Sequence, residues 1–378
     1  MKTVLVLAPN VRPYPGGAES YISDLMTGLV KCGCHVICVT ENPPEDNNSG
    51  IEYLKVSANV ERIISPITVT WREMQFSLLD DMTELESKEI DIIHANSIEA
   101  SILGRIISDH LKVPLVATIH ESAPQEKTFG KGRTKLVFER LNLEGLITPS
   151  SFYYNRALKY KIDKNKLFKV MHGIDIDKMK TTVTRVNNKN GDILKILFVG
   201  RVYPTKGLHI LIEALGKLDC NIQFSLEIVG PFIDPEYKDK IERMISEQNL
   251  KDRCKFVGPV LPENVKESML KSDLMIVPSV EEPFGLSIVE ANVLRLPIIA
   301  SKVGGIVDII EHNKTGLLFE SENVADLVSK IQYFIENNKE SVYLTENAYD
   351  KALSEFSSIR MAKETINVYK EVIKRGIE

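Results

Sequence analysis

The sequence predicts an α/β protein built from two doubly wound parallel sheets, and three observations carry that expectation. Short, almost uninterrupted apolar runs alternate with segments of helical periodicity along most of the 378 residues. These runs are too uniformly apolar to face water on one side, which is the pattern of strands covered by helices on both faces. A polar stretch with little periodicity, Asp177 to Asp192, closes on an Asn-Gly-Asp turn signal and splits the chain into halves that can each bury a core.

In chain order the strand candidates of the first half are TVLVLAP, HVICVT, DIIHA, PLVATIH and GLITPS. Those of the second are KILFVG, LEIVG, CKFVG, LMIVPS and PIIAS. The opening MKTVLVLAPN reads as a first buried strand, because its apolar run ends at a Pro-rich loop without the small-residue pattern of a signal-peptide cleavage site. Gly16 and Gly17 come just before a helix with apolar positions at Ile22, Leu25, Met26, Leu29 and Val30. The run FGLSIVEANVL is the helix that follows LMIVPS. The last forty or so residues hold no convincing strand, and Ile359 to Lys374 reads as an amphipathic helix in need of a packing surface. The expected organisation is therefore a first Rossmann-like domain over 1–176, a linker over 177–192, a second such domain over 193–358 and a terminal helix over 359–378.

The composition, 43% hydrophobic and 26% charged, is that of a globular protein, and no stretch is long enough to cross a bilayer. Five cysteines at irregular spacing argue against a disulfide framework and for a reducing, cytoplasmic location. Cys32, Cys34, His35 and Cys38 straddle a helix end, a turn and a strand, so their side chains should diverge rather than hold a metal. The net charge of −5 is uneven: residues 127–169 carry eight Lys and three Arg against one Asp and two Glu. That window is either a solvated helix face or a surface that attracts anions. No nucleic-acid partner is expected.

Ligands of doubly wound sheets bind beyond the carboxyl ends of strands, so the exit turns hold the candidate site residues. Gly16 and Gly17 let backbone approach a phosphate or sugar at a helix start, or simply form a turn and cap. His120, at the end of PLVATIH, can exchange a proton or hydrogen bond with a bound hydroxyl, or be structural. Arg201 and Lys206 in GRVYPTKG offer a planar fork and a mobile point charge that together suit a departing diphosphate, or are solvated surface charge. In EEPFGLSIVE the amides of Phe284, Gly285 and Leu286 open a helix, and Glu282 beside them either accepts from vicinal sugar hydroxyls or caps that helix. Glu290, about two turns in among apolar neighbours, needs donors, supplied either by a ribose diol or by a nearby Lys or Arg.

Taken together, PYPGGAE, TIHE, HGIDIDKM, GRVYPTKG, FVGPV, the E-x7-E spacing of EEPFGLSIVE and KVGGIVDIIEHNKTGLLF resemble the family 4 retaining glycosyltransferases, group 1 glycosyl transferases of GT-B fold. The resemblance implies two Rossmann-like domains facing a central cleft, the first binding acceptor and the second a nucleotide-sugar donor. It implies that Arg201 and Lys206 hold the donor diphosphate, that Glu282 with the Phe284–Leu286 backbone holds the donor sugar, and that Glu290 binds the ribose. His120 would touch the sugar near the reaction centre, Gly16 and Gly17 would close over phosphate or acceptor, and Gly258 to Val260 would meet the nucleobase. The terminal helix would pack back on the first domain.

The activity so implied is transfer of a sugar, with retention, from a UDP- or GDP-linked donor to an acceptor hydroxyl in polysaccharide, glycolipid or glycoconjugate synthesis. No cofactor and no catalytic metal are expected; Asp175 and Asp177, the tempting carboxylate pair, suit turn chemistry instead. The basic window suggests an anionic or lipid-linked acceptor and peripheral contact with the inner membrane face. The alternatives are an epimerase or phosphorylase on the same architecture, or a nucleotide-sugar-binding protein without turnover.

Overall fold

Parallel strands cannot be joined by tight turns, so each must be followed by a crossover, and among the described residues helices supply most of these connections. A computed structural model describes residues 2–13, 16–45, 50–55, 83–120, 136–181 and 193–377. The chain divides into two units, one formed by Met1–Gly173 with Ser358–Glu378 and the other by Ile174–Ser357.

The first unit contains β1 (Thr3–Leu7), α1 (Gly17–Lys31), β2 (His35–Thr40), β3 (Ile51–Lys55), β4 (Ile92–Ala95), α2 (Ile98–Leu111), β5 (Leu115–Thr118), β6 (Gly145–Thr148), α3 (Ser151–Ala157) and β7 (Leu167–Lys169). Its sheet is wholly parallel in the order β3-β2-β1-β4-β5-β6-β7, so the winding direction reverses between β1 and β4. Every residue of β4, β5 and β6 is buried, as strands covered on both faces require. At roughly 1.5–3 kcal/mol per fully buried aliphatic side chain, side chains such as Leu5, Leu7 and Ile93 dominate this unit's stability.

The second unit contains α4 (Ile176–Met179), β8 (Leu194–Val199), α5 (Leu208–Gly216), β9 (Phe224–Val229), α6 (Pro235–Glu247), β10 (Cys254–Gly258), α7 (Pro262–Lys271), β11 (Leu274–Val277), α8 (Leu286–Val293), β12 (Ile298–Ser301), α9 (Ile306–Ile309), β13 (Leu317–Phe319), α10 (Val324–Glu336) and α11 (Asn338–Glu355). This sheet too is parallel, in the order β10-β9-β8-β11-β12-β13, and reverses between β8 and β11.

The last helix, α12 (Ser358–Ile377), returns to the first unit and lies on α1. Its buried residues Met361, Ala362, Thr365, Val368, Tyr369 and Val372 recur at helical spacing. The two helices approach closely at Gly28, where an added Cβ would lie 2.5 Å from the Ser358 carbonyl oxygen and 2.9 Å from Ala362 Cβ.

The strands that carry no sequence expectation, β3, β7 and β13, all lie at sheet edges. An edge strand has one neighbour and needs less apolar sequence, as IEYLK in β3 illustrates, while β7 and β13 span only three residues. Residues 127–135 of the basic window, Glu121 with the FGKGR loop, and 182–192 of the expected linker lie outside the described residues.

Candidate active site

The reversal of strand order between β8 and β11 separates the turns that leave these neighbouring strands, and both turns carry the charged residues singled out in the sequence. After β8 the chain passes Gly200 and Arg201 and makes a single 3-10 turn over Pro204–Lys206, where Pro supplies a preset φ. Gly207 closes the turn at φ 70°, and a Cβ there would sit 1.8 Å from the Pro278 carbonyl oxygen, so this position requires glycine on two counts. The Thr205 carbonyl accepts from the Val280 and Glu281 amides at 2.8 and 3.3 Å, fixing the β8 turn to the β11 turn.

On that joined frame, Lys206 Nζ donates to Glu282 Oε2 at 2.7 Å, and Ser279 Oγ donates to the same oxygen at 3.2 Å. The Glu282 side chain is 11% exposed and that of Lys206 22%, so the pair is shielded but reachable. The backbone of Glu282 is held as well. Its carbonyl accepts from Gly305 N at 2.9 Å, and a Cβ on Gly304 would come within 1.9 Å of that carbonyl oxygen. Arg201, by contrast, is exposed, and no hydrogen bond or ion pair of its guanidinium occurs among the described residues. The turn therefore presents one cation already engaged with a carboxylate and one available to an anion.

Phe284 is buried, with its ring 5.8 Å from that of Phe356, which leaves its backbone rather than its side chain for the site. Gly285 caps α8 in the left-handed region, and among the described residues the amides of Gly285, Leu286 and Ser287 find no acceptor. The expectation of two turns for Glu290 is corrected: α8 starts at Leu286, so Glu290 stands one turn in, half-buried. Gly258 ends β10, and its carbonyl accepts from Gly230 N at 2.8 Å; the space a Cβ would occupy at Gly258 is open. Val260, two residues on, is half-buried.

Gly16, Gly17 and His120 belong to the first unit. Gly16 is the N-cap of α1 and Gly17 its first residue, with open space where a Cβ on Gly17 would project. The turn leading to them is tied to α1 by Arg12, whose Nη1 and Nη2 donate to the buried Asp24 carboxylate at 2.6 and 3.1 Å. His120 follows β5 and sits against two other rings, with centroids 4.6 Å from Tyr21 and 5.3 Å from His172; Tyr21 and His172 stack at 4.0 Å. Beneath them His94 bridges Tyr369 Oη at 2.6 Å and Thr118 Oγ1 at 2.8 Å, and Tyr21 Oη lies 3.4 Å from the same Thr118 oxygen. Burial pushes the His120 imidazole down to about 3, so it is neutral at working pH.

Sequence reasoning missed the supports of these residues: Ser279, Gly304 and Gly305 around Glu282, and Tyr21, His94, Thr118 and His172 around His120. A serine three residues before a carboxylate, or a Gly pair after a strand, was a visible signal; the ring cluster joins residues as far apart as His94 and Tyr369 and had none. Asp175 caps α4, its Oδ1 accepting from Asp177 N at 3.2 Å. In the basic window Tyr153 turns into the core and Tyr160 packs against Phe138, while Phe152 and Leu158 are exposed apolar side chains beside exposed Lys159, Lys161 and Lys164.

Comparison with known proteins is consistent along the chain. Residues 15–178 match the Glycosyltransferase Family 4 model and residues 179–351 the model of glycosyl transferases group 1. An uncharacterized glycosyltransferase of Methanocaldococcus jannaschii is 27% identical over 376 residues, covering 97% of this chain and 98% of its own. D-inositol 3-phosphate glycosyltransferase of Pseudarthrobacter chlorophenolicus is 23% identical, covering 96% and 92%. Among solved structures, Anabaena HepE in complex with UDP and glucose superposes with a TM-score of 0.80 at 20% identity, covering 98% of this chain and 100% of that one. Sucrose-phosphate synthase of Thermosynechococcus elongatus gives 0.81 at 21% identity, covering 99% and 100%. These likenesses establish the GT-B fold.

Proposed function

Because the chain is a GT-B glycosyltransferase whose halves belong to the Glycosyltransferase Family 4 and the glycosyl transferases group 1 families, we propose that it transfers a hexose from a UDP-linked donor to an acceptor hydroxyl with retention of anomeric configuration. The observation that carries this reading is the pair of turns leaving β8 and β11, which offers the free guanidinium of Arg201, the Lys206–Glu282 pair and the open amides of α8 on one frame.

In this reading the donor diphosphate lies on Arg201, Lys206 and the α8 amides, which stabilise the charge that grows as the sugar departs. Two cations and a helix terminus offset that charge, so the reaction runs without a metal. Glu282 and the Phe284–Leu286 backbone hold the sugar hydroxyls, Glu290 the ribose, and Gly258 with Val260 the base. The departing phosphate oxygen takes the acceptor proton on the same face of an oxocarbenium-like centre, and His120 has the role of bonding a substrate hydroxyl. The second unit, Ile174–Ser357, is then the donor half. The first unit with the 359–378 helix is the acceptor half, with Gly16 and Gly17 closing over phosphate or acceptor. HepE, solved with UDP and with UDP-glucose, supports the choice of nucleotide.

Among the described residues no helix is long and apolar enough to cross a membrane. Phe152 and Leu158 among exposed lysines support a lipid-linked or anionic acceptor reached by peripheral contact with an inner membrane face. Thermal shift against UDP-, GDP- and ADP-sugars, followed by NMR of the product's anomeric proton, tests the proposal. Selective stabilisation by a UDP-sugar and an unchanged anomer support it; selective stabilisation by another base, or an inverted anomer, removes it.

A further inference from the structure

His120 enters the proposed reaction as a single side chain, yet it does not stand alone. Five segments of the chain converge on it: Tyr21 from α1, Thr118 at the end of β5, His172 from the segment after β7, and behind these His94 of β4 with Tyr369 of α12. Tyr21 touches both neighbouring imidazoles, at 4.6 Å from His120 and 4.0 Å from His172, so its ring is the plate on which the two histidines rest. The plate is itself pinned, since Tyr21 is 1% exposed and its hydroxyl meets Thr118 Oγ1, which also bonds His94. His172 is fixed in turn through its backbone: Arg360 of α12 donates to the carbonyls of Met171 and His172 at 2.6 and 3.1 Å. Within this packing the Nε2 of His120 is shielded from solvent and has no hydrogen-bond partner among the described residues. A buried ring nitrogen without a partner is costly unless something that binds supplies one.

We propose that Tyr21 and His172 are positioning residues that hold the His120 imidazole in one orientation with Nε2 free to bond a hydroxyl of the substrate. The inference rests on the role assigned to His120 in the proposed function. The stacked faces restrict rotation about the His120 side chain, as a catalytic ring requires if its nitrogen is to meet a hydroxyl within a fraction of an ångström. Among the described residues, the charged and titratable groups around it are Tyr21, His94, His172, Tyr369 and Arg360. None of these is an anion that would favour an imidazolium, and burial keeps all three histidines neutral.

The test is nitrogen-15 NMR of the full chain labelled at histidine, with the His120 signals assigned by their loss in His120→Gln. The wild type should show His120 as one neutral tautomer from pH 8 to 5.5. Tyr21→Leu and His172→Leu should each give mixed tautomers and a titration near the ordinary histidine value, and Tyr21→Phe, which keeps the plate, should restore the single tautomer. Where a leucine variant does not fold, His172→Gln removes the aromatic face while keeping a polar group and is read in the same way. In parallel, release of UDP from UDP-glucose should fall at least tenfold in kcat at unchanged KM in the leucine variants, with Tyr21→Phe recovering most of it. His120 signals identical to wild type in Tyr21→Leu and His172→Gln would overturn the positioning role. A wild type that releases no UDP would fail the donor assignment alone, with the spectra still deciding the role of the two rings.

Discussion

Lys206 and Glu282 face each other at 2.7 Å although 76 residues separate them, and each is assigned to a different part of the donor. Removing one partner leaves a shielded charge without its counter-ion, which costs about 2 kcal/mol, whereas removing both costs less than the sum. Urea unfolding of Lys206→Met, Glu282→Gln and the double variant should therefore show a coupling of about 1 kcal/mol or more. Strict additivity would mean that the pair is not formed in solution. Donor binding must also share or separate this pair, so both single variants should weaken binding of a UDP-sugar. The residues were legible from the chain, because charge in a strand-exit turn next to glycine has few structural uses. Their pairing was not, since nothing in GRVYPTKG specifies which carboxylate 76 positions away will meet Lys206.

At the scale of elements, legibility followed burial. Central strands such as β4 to β6 and β11 are covered on both faces, so their sequences are unbroken apolar runs that announce themselves. Edge strands β3, β7 and β13 are shorter or mixed, and only their neighbours in space define them. The start of α8 shows a different limit: Gly285 at φ 109° sets the first helical turn, and the helical pattern in FGLSIVEANVL does not reveal where the cap falls. The docking of α12 on α1 depends on the absence of a side chain at Gly28. Gly28→Val would drive two methyl groups into the Ser358 carbonyl and Ala362, and should destabilise the protein by about 1–3 kcal/mol in denaturant unfolding. A change below about 0.5 kcal/mol would show that the helices separate there at little cost.

For the molecule as a whole, the sequence conveyed charge and composition but not the buried polar centre of the first unit. Burial pushes His94 down to about 3 and His172 well below its ordinary value. A folded-state value below the unfolded one means that the unfolded chain takes up the proton first. Stability from these rings is therefore complete above about pH 6.5 and is lost as pH falls toward 3. His94 alone costs about 1.4 kcal/mol at pH 5.5, and His120 and His172 act in the same direction, so stability should fall by more than about 1 kcal/mol between pH 7.5 and 5.5. Melting temperature followed across that range should fall, and less steeply in His94→Gln; a flat profile would show that these rings are not buried and neutral.

In the proposed reaction the β8 turn grips a diphosphate through Arg201. Because that guanidinium is exposed and has no ion pair among the described residues, Arg201→Ala should leave stability within about 0.5 kcal/mol of wild type while removing a charge-assisted contact. Calorimetric titration of UDP into wild type and Arg201→Ala measures this contact directly. The wild type should bind UDP saturably and the variant at least tenfold more weakly. Equal affinity in the two proteins would mean that Arg201 does not hold the diphosphate.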